Sequence, residues 1–152
     1  MRTTKAPDFD LGSLSGERTS LGGLLSSGPV VLSFFKVTCP TCQLTFPFLE
    51  RLHLGGKARI VAISQDDAEA TRAFNQRFGV TFNTLLDLRE EGYRVSNAYR
   101  ITDVPTLVVV EADGSVSQTV AGFDKAALES LAGRFSTPVF RPDDRVPVFR
   151  PG

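Results

Sequence analysis

Cys39 and Cys42 are the only thiols in the chain, and they stand in the run Phe34-Phe35-Lys36-Val37-Thr38-Cys39-Pro40-Thr41-Cys42. Two thiols at this spacing, placed where an apolar, β-prone run gives way to a helix, can close into a small disulfide and reopen. The arrangement points to redox chemistry rather than a structural staple. If a helix begins at Cys39, its sulfur lies beside unpaired backbone N–H groups and the positive end of the helix dipole, which favour a thiolate. Pro40 then takes the first helical position, where a missing N–H costs nothing, and Cys42 lies one turn on. Cys39 is read as the attacking nucleophile and Cys42, nearer the helix body and less acidic, as the resolving residue. Lys36 is the nearest charge in sequence and a candidate for tuning the Cys39 thiol by attraction, although a solvated strand-end lysine is its plainer role.

The same spacing is also half of a zinc site, which usually needs four ligands. That reading fails by counting. The single histidine, His53, stands well beyond Cys42 on the same predicted helix, and at about 1.5 Å of rise per residue it is out of reach of one metal shared with the cysteines. No metal or cofactor is expected, and His53 is too far away to serve as the catalytic base.

The elements that must position the pair follow from periodicity. Residues 29–35 form a nearly continuous apolar run, which fits a central strand covered on both faces. A helix is predicted over residues 40–53, with Leu44, Phe48, Leu49 and Leu52 on one side, a bend at Pro47 and a stop at Gly55-Gly56. Residues 59–64 read as a second buried strand, and Asp66 or Asp67 caps a helix over 68–78. A short strand over 84–87 and a helix over 90–99 come next. Residues 106–111 and 115–120 then read as a hairpin about Ala112-Asp113-Gly114, and Asp124 caps a closing helix over 125–135. Ahead of all these, residues 6–20 read as a hairpin or irregular lead-in, followed by a brief helix capped by Ser20. Strand and helix alternating in this way argue for a single α/β domain with a central mixed sheet flanked by helices.

Composition narrows the partners. A chain of 152 residues suits one domain, and its 17 basic and 17 acidic residues cancel. The electrostatic footprint of a nucleic-acid binder is therefore missing. No segment approaches the roughly 20 apolar residues of a membrane span, and the N-terminus has no signal-like apolar stretch. A cytoplasmic address is the simplest expectation; a periplasmic or exported chain stripped of its leader would read the same. A catalytic pair works in either compartment.

With these residues in place, the chain from about 6 to 135 resembles a thioredoxin-fold redoxin, in the branch of TlpA-like thiol–disulfide oxidoreductases and the alkyl hydroperoxide reductase/thiol-specific antioxidant group. The resemblance rests on Ala6-Pro7-Asp8-Phe9, the strand into Cys39-Pro40-Thr41-Cys42, Pro47, Phe78-Gly79-Val80, Asp87, Ala98 to Thr106 with Val104-Pro105-Thr106, and Ala112-Asp113-Gly114. It implies a cis bond at Val104-Pro105 facing the cysteines, a bond tolerated almost only before proline. The backbone of Val104 would there pair with an extended protein substrate, with Pro105, Thr106, Thr38, Pro40 and Thr41 completing the docking surface. The implied partners are protein disulfides or thiols and an upstream thiol reductant.

Departures from the family pattern stand close to the cysteines. Phe35 and Thr38 occupy places where many relatives bring a tryptophan, and Ser33 and Thr45 occupy places where relatives carry a buried acid. Cys42 therefore has no evident carboxylate as proton acceptor. Two rival functions remain. Peroxide reduction asks for a Pro-x-x-x-Thr-x-x-Cys frame, but Leu32 and Lys36 precede Cys39 at those places, and Phe35 and Cys39 precede Cys42. A redox-inert binding module on the same scaffold would leave the cysteine pair without a use.

Residues 1–135 are expected to form the redoxin domain and 136–152 a Pro-rich tail in which Pro-Val-Phe-Arg-Pro occurs twice. Its four prolines exclude a helix. The tail reads either as a flexible, polyproline-like segment or as one that docks Phe140 and Phe149 into a groove of this chain or of a second copy, with self-association as a consequence.

Overall fold

The computed structural model describes residues 4–152. At its centre lies β3 (Val30–Phe35), in which all six residues are buried, as a nearly unbroken apolar run requires when both sheet faces are covered. β3 pairs in parallel with β4 (Ile60–Ser64) and antiparallel with β6 (Thr106–Val110). β4 continues the parallel pairing to β5 (Asn83–Leu86). β1 (Asp10–Ser13) and β2 (Arg18–Ser20) extend one edge antiparallel, and β7 (Val116–Ala121) extends the other. The order β2-β1-β5-β4-β3-β6-β7 is a mixed sheet, the central layer of a thioredoxin-like α/β fold.

Helices cover both faces. α1 (Leu21–Leu25) is capped by Ser20, whose hydroxyl accepts from the Gly23 N–H. α2 (Pro40–Leu54) runs through Pro47 as one continuous element and packs Phe46, Leu49 and Leu52 onto the sheet with α3 (Ala68–Phe78) and α5 (Lys125–Arg134). Phe35, Phe46 and Phe74 form a tilted aromatic cluster with ring centroids 4.4 to 5.4 Å apart. The opposite face buries Phe9, Leu11, Phe34 and Val95.

One local expectation changes, and one open choice is settled. The helix expected over residues 90–99 is a 3-10 turn at Arg89–Glu91 followed by a short α4 (Arg94–Ala98), with Gly92 and Tyr93 in left-handed conformation between them. Asp87, fully buried, accepts from the Val95 and Ser96 N–H groups and so starts α4 where the chain turns. The choice of cap for α3 resolves to Asp67, which accepts from the Ala70 N–H; Asp66 serves elsewhere.

Beyond α5 the chain does not leave the surface. Val139 is 2% exposed, and the Phe140 ring packs 4.9 Å from Phe48. Arg51 of α2 donates to the Val139 carbonyl and forms a two-pronged ion pair with Asp144 at 2.6 and 3.2 Å. Farther on, β9 (Phe149–Arg150) pairs antiparallel with β8 (Phe123–Asp124). Phe140 is seated; Phe149 lies on β9 and is 54% exposed. β9 meets β8 through its backbone, so this aromatic is not used as an anchor.

Candidate active site

Local sequence places the first cysteine. β3 ends at Phe35, the chain turns through Lys36 to Thr38, and Cys39 becomes the N-cap of α2 with extended backbone angles and Pro40 just inside. The Cys39 N–H donates to the Lys36 carbonyl at 3.2 Å. The Cys39 Sγ accepts from the Cys42 N–H at 3.1 Å, one of the helix-end donors that would otherwise lack a partner. Lys36 and Thr38 are exposed, and Pro40 is exposed at the helix tip.

Cys42 lies beneath. It is fully buried, and that burial, reinforced by the Cys39 sulfur, pushes its thiol far above the ordinary value. One sulfur of the pair is thus partly open and the other enclosed. Both are free thiols.

The loop before β6 closes the site from across the fold. The Val104–Pro105 peptide is cis, and the Val104 carbonyl accepts from the Cys39 Sγ at 3.3 Å. Thr106 starts β6 and ties the loop down by donating its hydroxyl to the Asp103 carbonyl at 2.6 Å. Thr41, buried, donates its hydroxyl to the Pro151 carbonyl at 2.7 Å. Of the residues singled out by sequence, Cys39, Cys42, Thr41, Val104, Pro105 and Thr106 come together; the side chains of Lys36 and Thr38 stay in solvent.

The two positions where an acid was missed behave differently. Thr45 donates to the Thr41 carbonyl at 2.7 Å and stabilises the first turn. The Ser33 hydroxyl is buried without a hydrogen-bond partner among the described residues. A carboxylate does reach the neighbourhood, from the end of β4: Asp66 accepts from the Val37 N–H at 2.8 Å, and its charge adds to the forces that keep Cys42 protonated. In the sequence Asp66 and Asp67 are equivalent candidates for the α3 cap, and nothing local marks Asp66 for this role. Its actual partner lies across the β3–β4 pairing, which carries no mark in the sequence.

His53 sits near the far end of α2 with its ring edge-on to Phe82 at 5.8 Å. No group of three or more His, Cys, Asp or Glu side chains suited to a metal ion occurs among the described residues. None of their helices is long and apolar enough to cross a membrane.

Comparison with known proteins places this geometry. A model of the AhpC/TSA family matches residues 3–119. The thiol-disulfide oxidoreductase ResA of Geobacillus kaustophilus is 30% identical over 121 residues, covering 77% of this chain and 67% of that protein. Among solved structures, a secreted Mycobacterium tuberculosis disulfide oxidoreductase superimposes with a TM-score of 0.68 at 26% identity, over 84% of this chain and 94% of that one. The peroxidoxin BcpB of the same organism superimposes with a TM-score of 0.72 at 23% identity, over 86% and 96%. The last likeness is one of fold, so fold alone does not separate disulfide exchange from peroxide reduction.

Proposed function

The chain belongs to the AhpC/TSA family, and we propose that it acts as a thiol–disulfide oxidoreductase on protein substrates through Cys39 and Cys42. One observation carries the reading: the half-exposed Cys39 sulfur is held between the Cys42 N–H and the carbonyl preceding Pro105, with a buried second thiol one turn behind. In the reducing direction the Cys39 thiolate attacks a substrate disulfide, forming a mixed disulfide and releasing one substrate thiolate. Cys42, once deprotonated, attacks the Cys39 sulfur, releases the second substrate thiolate and leaves a Cys39–Cys42 disulfide. The substrate gains two electrons, the chain loses two, and an upstream dithiol restores it. Burial of Cys42 sets the order, because a thiol kept protonated does not compete with Cys39 for the first attack.

Val104 and Pro105 supply a backbone edge for the substrate next to the reacting sulfur, and Thr106 supports that loop. Peroxide reduction is the weaker reading. The frame it needs is filled by the buried Leu32 and the exposed Lys36. As to address, the name of the secreted mycobacterial relative favours export over the cytoplasmic location first expected; cell fractionation decides between them.

Insulin-disulfide reduction and peroxide consumption measured on one preparation test the proposal. Cys39→Ser should reduce insulin turnover to background, and Cys42→Ser should trap a mixed disulfide through Cys39. A trapped adduct found only in Cys39→Ser, or peroxide consumption without insulin turnover, would overturn it.

A further inference from the structure

The substrate edge just described is not open. Residues 148–150 run beside β8, and residues 151 and 152 reach from there onto the cysteine turn and Val104. The Val148 carbonyl accepts from the Lys125 N–H at 3.0 Å, Phe149 and Arg150 pair with Asp124 and Phe123, and the Pro151 carbonyl accepts from Thr41 inside the Cys-x-x-Cys turn. Gly152 then lies directly on Val104: a Cβ there would collide with the Val104 carbonyl oxygen, the same atom that accepts from the Cys39 sulfur. Close approach recurs one step back, where a Cβ on Gly122 would come within 2.5 Å of the Arg150 carbonyl oxygen. Glycine is what lets both backbones meet.

We propose that residues 148–152 form a built-in occupant of the substrate groove, and that an extended protein segment reaches Cys39 by displacing them. This rests on the reading of Cys39 and Val104 as the exchange site. The segment grips by its main chain, pairing with β8 beside the site and bringing Gly152 against Val104. Its large side chains contribute little, since Val148 is 77% and Phe149 54% exposed. Recognition by backbone selects for shape rather than sequence, so the partner class it implies is an unfolded or locally extended polypeptide around its own cysteine. Folded proteins with recessed disulfides, which cannot form that pairing, would not displace it.

The tether makes the occupant both persistent and replaceable. Val139, Phe140 and Asp144 hold the preceding stretch on α2, so the strap competes at an effective concentration on the order of millimolar without needing a tight grip. A groove closed about 90% of the time weakens apparent affinity for an incoming strand about tenfold. A small reagent that needs only the exposed face of the sulfur is spared that penalty.

The test compares the full chain, a chain ending at Pro147 and Gly152→Val, whose side chain cannot sit on Val104. Cys39 is modified with iodoacetamide and with a polyethylene-glycol maleimide, and insulin turnover is measured in parallel. Both variants should react about tenfold faster with the bulky maleimide and reduce insulin about tenfold faster, with iodoacetamide rates within about twofold of the full chain. Equal maleimide rates in all three chains would overturn the strap whatever the activity, and so would insulin turnover that is present but unchanged. Faster maleimide reaction with no insulin turnover in any chain would uphold the strap and remove the exchange reading instead.

Discussion

Pro138-Val139-Phe140-Arg141-Pro142 and Pro147-Val148-Phe149-Arg150-Pro151 are the same five residues, and the fold holds them in different ways. The first copy buries its side chains as well as bonding through its backbone: Val139 is buried, Phe140 is seated against Phe48 and Phe123, and the Val139 carbonyl accepts from Arg51. The second is held by its backbone, through the Val148 and Pro151 carbonyls and the β8–β9 pairing, while its valine and phenylalanine face solvent. Identical local sequence has no preferred environment of its own. The copy that follows α5 directly meets apolar surface left uncovered by α2 and β8, whereas the later copy meets an edge strand and a polar turn. The physical consequence is a division of labour in which one copy contributes to stability and the other covers the site and can leave it.

The sharpest way to break that contrast is to place the same charge in both copies. Val139→Asp should cost roughly 3 kcal/mol of unfolding free energy by burying an unpaired carboxylate, whereas Val148→Asp should stay within about 0.5 kcal/mol. Equilibrium denaturation of the two variants reads the difference; similar losses would mean that the second copy is also a core anchor. Removing the rings gives a smaller contrast. Phe140→Ala should cost about 1 to 2 kcal/mol through lost apolar burial and ring packing, against a few tenths for Phe149→Ala.

The smallest expected effect comes from pH. Arg51 beside Asp144, with the Arg141 N–H, holds the Asp144 carboxyl below the usual carboxylate range. A lowered native value means the stabilisation is complete above the unfolded value of about 3.9 and fades as pH falls through the lower native one. Acid titration of the full chain should therefore show a loss that Arg51→Ala lacks below about pH 4. Identical acid profiles would show that the ion pair does not help to hold the first copy in place.

Legibility in the sequence followed the range of the interactions. β3, α2, α3 and the β6–β7 hairpin were readable because each is specified by neighbours within a few residues: a continuous apolar run, a Pro at the first helical position, an aspartate cap at Asp66 or Asp67 with Gly79 at the far end, Asp113-Gly114 between strands. The region of residues 89–98 misled because its helical composition is interrupted by a buried carboxylate, Asp87, which captures the Val95 and Ser96 N–H groups and restarts the helix there. The choice between Asp66 and Asp67 as the α3 cap stayed open in the sequence for the same reason, the Val37 contact of Asp66 being 29 residues away.

At the cysteines the two levels meet. Cys39 as an N-cap with Cys42 one turn behind is a short-range property of Cys-Pro-Thr-Cys at a strand end, and the sequence determined it by itself. That Val104 would face Cys39 was expected only by resemblance, across 65 residues. Which carboxylate approaches Cys42, and that Pro151 would reach Thr41 across 110 residues, only the tertiary structure decided. Contacts of that range depend on sheet register and on which surfaces are left uncovered once the helices have packed, and neither is carried by the spacing of residues along the chain.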